Sequence, residues 1–179
     1  MKRWVLLLGI MLVSSAAMSA QQEGPKAEVF AGYSYVRMNA SGSPGFDMNG
    51  GSASFSFNPM SSFGLVGDFG GYDVGRIGGV SVDGVVYSYL FGPKLAHRSR
   101  SGRFTAFAQA LFGGAYATEG AFGQSMSENA FAMTVGGGLD LNATSHIGVR
   151  VIQAEYLMTQ FFSQTQNNAR FSAGVVFRF

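Results

Sequence analysis

The sequence predicts an all-β protein: an eight-stranded antiparallel up-and-down transmembrane β-barrel following a cleaved signal peptide. The clearest observation is the last stretch, where Phe171, Ala173, Val175, Phe177 and Phe179 alternate strictly with Ser172, Gly174, Val176 and Arg178. A strand this apolar on one face needs a lipid or protein neighbour. The second observation is composition. Only 12% of the 179 residues are charged, 14% are aromatic and 26 are glycine, a poor endowment for a surface wetted all round. The third is that no apolar run of about 18 residues follows Val13, which excludes a helical span and leaves a closed barrel as the way to face lipid.

The N-terminus reads as a secretory signal peptide over residues 1–20. Met1-Lys2-Arg3 supplies the charge, Trp4 to Val13 the apolar core and Ser14 to Ala20 the small residues. The apolar core is too short to cross a bilayer as a helix. Cleavage fits after Ser19 or after Ala20, and the barrel domain then covers 21–179. Without Lys2 and Arg3, the 12 basic residues fall to 10, equal to the 10 acidic ones, so net charge gives no support to nucleic-acid binding. No cysteine is present, so neither a lipid-anchored cysteine nor a disulfide framework is possible.

The strands follow in order. Val29, Ala31, Tyr33 and Tyr35 alternate with Glu28, Phe30, Gly32 and Ser34 in the first. A loop around Gly42 to Gly45 leads to Asn49–Phe57, where Ala53, Phe55 and Phe57 oppose a serine face of Ser52, Ser54 and Ser56. The turn Asn58 to Ser62 precedes a third strand, Phe63 to Gly70, with Asp68 opposite its apolar side. Asp73 to Gly84 is expected to loop, and Val85 to Gly92 to form the fourth strand, apolar on both faces and ending near Pro93. Lys94, His97, Arg98, Arg100 and Arg103 then fall in and around a connection, as a solvated basic cluster. Phe104 to Ala117 carries Gln109 as its one strongly polar side chain. After a loop from Thr118 to Asn129, the sixth strand sets Phe131, Met133, Val135, Gly137, Leu139 and Leu141 against Ala132, Thr134, Gly136, Gly138 and Asp140. The turn Asn142 to His146 leads to Ile147–Met158, where Arg150 is out of phase with Gln153 and Glu155 and so implies a bulge or an interfacial arginine. Thr159 to Asn168 is the last expected loop.

Eight alternating segments of about ten residues, with short turns on one side and longer loops on the other, are the pattern of a small membrane barrel. The inferred inward set is Ser52, Ser54, Ser56, Asp68, Gln109, Thr134, Asp140, Gln153, Glu155, Arg170, Ser172 and Arg178. Such an interior is only wide enough for side chains or one small ligand. Buried acids need partners. Asp68, Asp140 and Glu155 are therefore expected to pair with Arg150, Arg170 or Arg178, with Arg178 suited to Asp140 and Arg170 to Glu155. The polar network of Asp68, Gln109, Asp140, Gln153, Glu155, Arg170 and Arg178 is read as a structural plug, with a proton or ion path as the alternative. The seven tyrosines, Tyr72 among them, suit interfacial girdles.

Other chemistry finds little to stand on. Metal binding would rest on two separated histidines, His97 and His146, and no cofactor is expected. Gly136-Gly137-Gly138 lacks the strand-loop-helix context of a phosphate cradle and reads instead as a means of bending a small barrel. The basic cluster lacks the interleaved aromatics of a nucleic-acid patch.

The chain resembles OmpA-type or OmpX-type outer-membrane barrels. The resemblance rests on Gln153-Ala154-Glu155-Tyr156 before a polar segment, and on Phe171 to Val175 running on to Phe177-Arg178-Phe179. It implies a bacterial outer-membrane location, lipid as the surrounding partner, a monomer, and a C-terminal strand in which Val175, Phe177 and Phe179 act as a signal to the barrel-assembly machinery. A periplasmic peptidoglycan-binding domain, which OmpA carries beyond its barrel, is not expected here. Such barrels serve as structural proteins, adhesins, narrow pores and lipid-modifying enzymes. The expectation here is a structural or surface-exposed, non-catalytic role, with a narrow channel and an adhesin or receptor as alternatives. An enzyme comes last: His97-Arg98-Ser99 has the histidine-serine spacing of lipid A deacylases, but lies on the wrong side and lacks the asparagine that follows.

Overall fold

A computed structural model describes residues 24–39, 45–77, 80–121, 124–161 and 164–179. The expected signal peptide and the centre of the Gly42 to Gly45 loop lie outside them. The described residues form eight strands: β1 (Ala27–Met38), β2 (Phe46–Met60), β3 (Phe63–Ile77), β4 (Val80–Arg98), β5 (Phe104–Ala121), β6 (Gln124–Asn142), β7 (Ile147–Phe161) and β8 (Gln164–Arg178). Each pairs antiparallel with its sequence neighbour, and β8 returns to β1 in a closed barrel. Closure runs from Glu28 opposite Arg178 to Arg37 opposite Ala169. No edge strand is left, and apart from two local irregularities on β4 and β7 the backbone of the wall is paired along the ladder, the condition lipid imposes.

Alternation decides which side chains meet lipid. Phe55, Leu65, Phe69, Phe91, Phe112, Val135, Tyr156, Phe171 and Phe177 are among the large apolar residues exposed on the outer wall. On β6 this belt covers Phe131 to Leu141, a length that suits a tilted strand crossing a bilayer. Phe69 and Phe91 meet edge to face with ring centroids 5.7 Å apart. Tyr33, Tyr87, Tyr89 and Tyr156 lie toward the far end of the belt, away from the termini, and are exposed as a girdle requires. Tyr72 is not part of it. That ring is only 2% exposed and lies inside the barrel, because it shares the phase of Asp68 on β3.

Three expected loops are largely strand. Residues 73–84, 118–129 and 159–168 continue the hairpins until only 78–79, 122–123 and 162–163 fall outside the strands that flank them. Apolar alternation weakens there, while the hydrogen-bond ladder continues regardless. The longest strands, β4 and β6 with 19 residues each, thus extend well beyond the belt on the side opposite the termini.

Two irregularities punctuate the wall. The β7 register shifts between Arg150 and Gln153 against β8, and Val151 and Ile152 are both exposed. This bulge brings Arg150 inward on the same side as Gln153 and Glu155. Pro93 does not end β4, which continues to Arg98; instead the β4–β5 pairing lapses after Phe91 and resumes at Lys94, where the proline has no N–H to donate. The connection between β4 and β5 is confined to 99–103, with Gly102 at φ 70°. Glycine accepts this left-handed conformation without a Cβ penalty.

Candidate functional site: the barrel interior

Two ionic clusters at different heights fill the interior. In the middle, Arg170 of β8 is completely enclosed and acts as the hub. Its Nε donates to Glu155 at 2.7 Å, while Nη1 donates to Asp68 at 2.7 Å and to the Tyr72 hydroxyl at 3.1 Å. Gln109 of β5 donates to the other oxygen of Glu155 at 2.9 Å. One guanidinium thus ties β3, β7 and β8 together across the lumen, and β5 joins through the glutamine. Nearby, Ser34 bridges the Ser52 and Ser172 hydroxyls at 2.6 and 2.7 Å.

The second cluster lies nearer the termini. Glu28 of β1 accepts from Lys94, from Arg178 at 3.1 Å and from Arg98 at 3.4 Å. Lys94 also donates to Ser56 at 3.0 Å. Arg178 continues to Asp140 at 3.2 Å, and Arg150 holds the same carboxylate at 2.8 Å while donating to Gln153 at 2.7 Å. The Arg150 guanidinium is sandwiched between the Phe30 and Phe107 rings, 4.4 and 4.2 Å from their centroids, so its desolvation is offset by two π faces.

Apolar side chains occupy the remaining space. Val36, Met38, Met48, Val74 and Leu157 pack with Tyr72 at the far end, and Val66, Leu90, Leu111, Ala115, Ala130 and Ala132 line the β3–β6 wall. The glycine run on β6 has a steric reason. A Cβ on Gly136 would come within 2.3 Å of the Ala154 carbonyl oxygen, and one on Gly138 within 2.5 Å of the Ile152 carbonyl oxygen and 2.8 Å of the Phe107 ring.

The structure gives every residue of the inferred interior network, Asp68, Gln109, Asp140, Gln153, Glu155, Arg170 and Arg178, a buried side chain in one of these two clusters. Val175, Phe177 and Phe179 point outward. Sequence reasoning missed Glu28, Lys94 and Arg98 as members. Lys94 is not a solvated turn residue: it is 3% exposed inside β4. Pro93 had hidden it by suggesting the strand was over. Glu28 was legible in principle, since it shares the phase of Ser34. His97 does not sit in a turn either; it is exposed on the outer face of β4. His146 is in the turn after β6, its Nδ1 paired with the Ser145 hydroxyl at 2.9 Å.

A vestibule of about 640 Å³ opens at the termini end, lined by Lys26, Arg98, Arg103, Asn142, His146 and Arg178 among others. Among the described residues, no group of three or more His, Cys, Asp or Glu side chains is arranged to hold a metal ion.

No family model matches the sequence, and no curated relative does either. Solved structures do match. The crystal structure of Neisserial surface protein A superposes with a TM-score of 0.70 at 15% identity, covering 88% of this chain and 100% of that one. The chain has the OmpA/OmpX-type outer-membrane barrel fold. Ail, the attachment invasion locus protein of Yersinia pestis, matches at a TM-score of 0.59 and 20% identity over 87% of this chain and 100% of its own. The N-terminal barrel domain of Pseudomonas aeruginosa OprF matches at 0.58 and 15% identity, over 88% and 100%. These neighbours are outer-membrane barrels, and the lipid-facing belt of this chain is what such a wall requires. At such identities they speak for the fold alone.

Proposed function

We propose that the protein is a non-catalytic outer-membrane barrel whose lumen is closed to solutes and which serves as a rigid stem for the hairpins beyond the belt. The observation that carries this reading is Arg170, buried to 1% exposure and fixed by Asp68, Glu155 and Tyr72 across the full width of the interior. Passage through the barrel would require parting these ion pairs inside a low-dielectric wall, and breaking a buried pair costs about 3–5 kcal/mol. Short turns at the termini end and long hairpins opposite assign the former to the periplasm and the latter to the cell exterior. The outer hairpins are then the surface the protein presents, in a monomer surrounded by lipid.

Planar-bilayer recording of the refolded chain tests the closed lumen. Wild type should give no steady single-channel steps, and Arg170→Ala should give intermittent ones; regular steps from wild type would overturn the reading. Val175, Phe177 and Phe179 are proposed to engage the assembly machinery, which exposed side chains on the final strand can do before the barrel closes. Deleting Phe179 should slow insertion in an assembly-dependent assay while leaving spontaneous refolding into micelles unchanged.

A further inference from the structure

The two clusters differ in charge balance. Arg170 is matched by two carboxylates, Asp68 and Glu155. In the cluster near the termini, four cations, Lys94, Arg98, Arg150 and Arg178, share two carboxylates, Glu28 and Asp140. The excess is positive, and most of it is buried: Lys94, Arg150 and Arg178 are 3–4% exposed. Lys26 and Arg103 add positive charge at the rim of the adjoining vestibule, and a carboxylate counted at Phe179 would still leave the cations in excess. Excess charge enclosed by a low-dielectric wall demands a counter-ion.

Two guanidinium groups at the vestibule have a donor without a partner. Arg98 Nη1 and Arg178 Nη1 are buried without a hydrogen-bond partner, although both residues line the vestibule. A buried guanidinium nitrogen left unpaired is costly, whereas one hydrogen-bonded to an oxyanion forms a strong charge-assisted contact.

We propose that the vestibule at the termini end is a binding site for a phosphate-type oxyanion, with Arg98 and Arg178 as its principal ligands and Lys26 and Arg103 drawing the anion in. Phosphate is favoured over a monovalent halide because two forked guanidinium groups present several donors to one tetrahedral anion. The same chemistry is available from free phosphate in the periplasm and from an anionic phospholipid headgroup at the inner leaflet. The proposal does not depend on whether the lumen conducts.

The test is a side-chain NMR titration of the full mature chain, refolded in maltoside micelles that carry no phosphate, following the arginine Nε–Hε resonances. Inorganic phosphate, dihexanoyl phosphatidylglycerol and sodium chloride at matched ionic strength are the three probes. Saturable movement of the Arg98 and Arg178 resonances with phosphate but not with the lipid identifies free phosphate as the ligand; movement with the lipid at lower concentration identifies the headgroup. In Arg98→Gln the midpoint should rise at least tenfold, in Arg103→Gln about twofold to fivefold, and in Arg37→Gln, at the other end of the barrel, not at all. Heat-modifiable gel mobility confirms that each variant is folded. A non-saturable response, an equal response to chloride, or an unchanged midpoint in Arg98→Gln would each overturn the site.

Discussion

The two halves of the interior use the same kinds of side chain to opposite ends. Around Arg170, one cation is outnumbered by two acids, a tyrosine hydroxyl and a glutamine add hydrogen bonds, and the one guanidinium nitrogen without a hydrogen bond, Nη2, still lies 2.6 Å from the Glu155 carboxylate. Around Glu28, acids are outnumbered, and two guanidinium nitrogens stay unpaired at the edge of an open vestibule. A sealed network must satisfy itself, because no solvent can enter to correct it. One that borders water can leave charge for a partner to neutralise. The difference separates the part of the interior that holds the barrel shut from the part that is available to bind.

Substitutions can break this comparison in graded steps. The largest effect should come from Arg170→Met, which strands Asp68 and Glu155 together without a cation and should cost about 3–5 kcal/mol by urea unfolding in micelles. Adding Asp68→Asn and Glu155→Gln to it should recover much of that loss, because the whole charged set is then replaced rather than broken. If the triple variant is no more stable than Arg170→Met, the loss came from packing and the hub is not electrostatic. Arg150→Met comes next, at about 1–3 kcal/mol, since Asp140 keeps Arg178 while the contact with Gln153 and the charge between the two phenylalanine rings are lost. Arg98→Gln should change stability by less than about 1 kcal/mol, because it removes a cation from a cluster with cations to spare. A large loss there would mean that Glu28 depends on Arg98 despite its contacts with Lys94 and Arg178.

The smallest effect lies outside the belt. The hydrogen bond from Arg37 first, and that from Tyr35 second, hold the Asp47 carboxyl below its ordinary pKa of 3.8. Because the folded value is depressed, the contribution is present above 3.8 and is lost as pH falls further. The difference between Asp47→Asn and wild type should therefore be small even at neutral pH, since the pair is exposed, and should shrink as pH falls below 3.8.

The barrel was legible wherever one face meets lipid and the other does not. Phe131 to Leu141 and Phe171 to Phe179 show it most cleanly, and they also revealed Asp140, Ser172 and Arg178 as inward by phase alone. Legibility failed where that contrast is missing. Beyond the belt, residues 73–77 and 164–168 are mostly polar or glycine and lack a lipid-facing apolar alternation, so strand and loop look alike in sequence. At Lys94 the preceding proline pointed to an ending, and only the lapse in β4–β5 pairing shows how the strand tolerates it. The partition of charges between two clusters could not be read from any single strand. Lys94 and Glu28 are 66 positions apart and meet only because the barrel closes.

The bulge on β7 has a consequence for how length changes would propagate. Inside and outside are written into a strand as odd and even positions, so a lost residue normally exchanges the two for everything on one side of it. At Val151 and Ile152, two consecutive positions both face out. Removing either would restore a regular odd-even reading, with Arg150 and Gln153 still inside. Removing Ala154 instead would trade Gln153 for Ile152 in the lumen. β7 thus carries a spare position at the height of its most crowded arginine, where a one-residue deletion should cost curvature and aim but leave the sidedness of the wall intact.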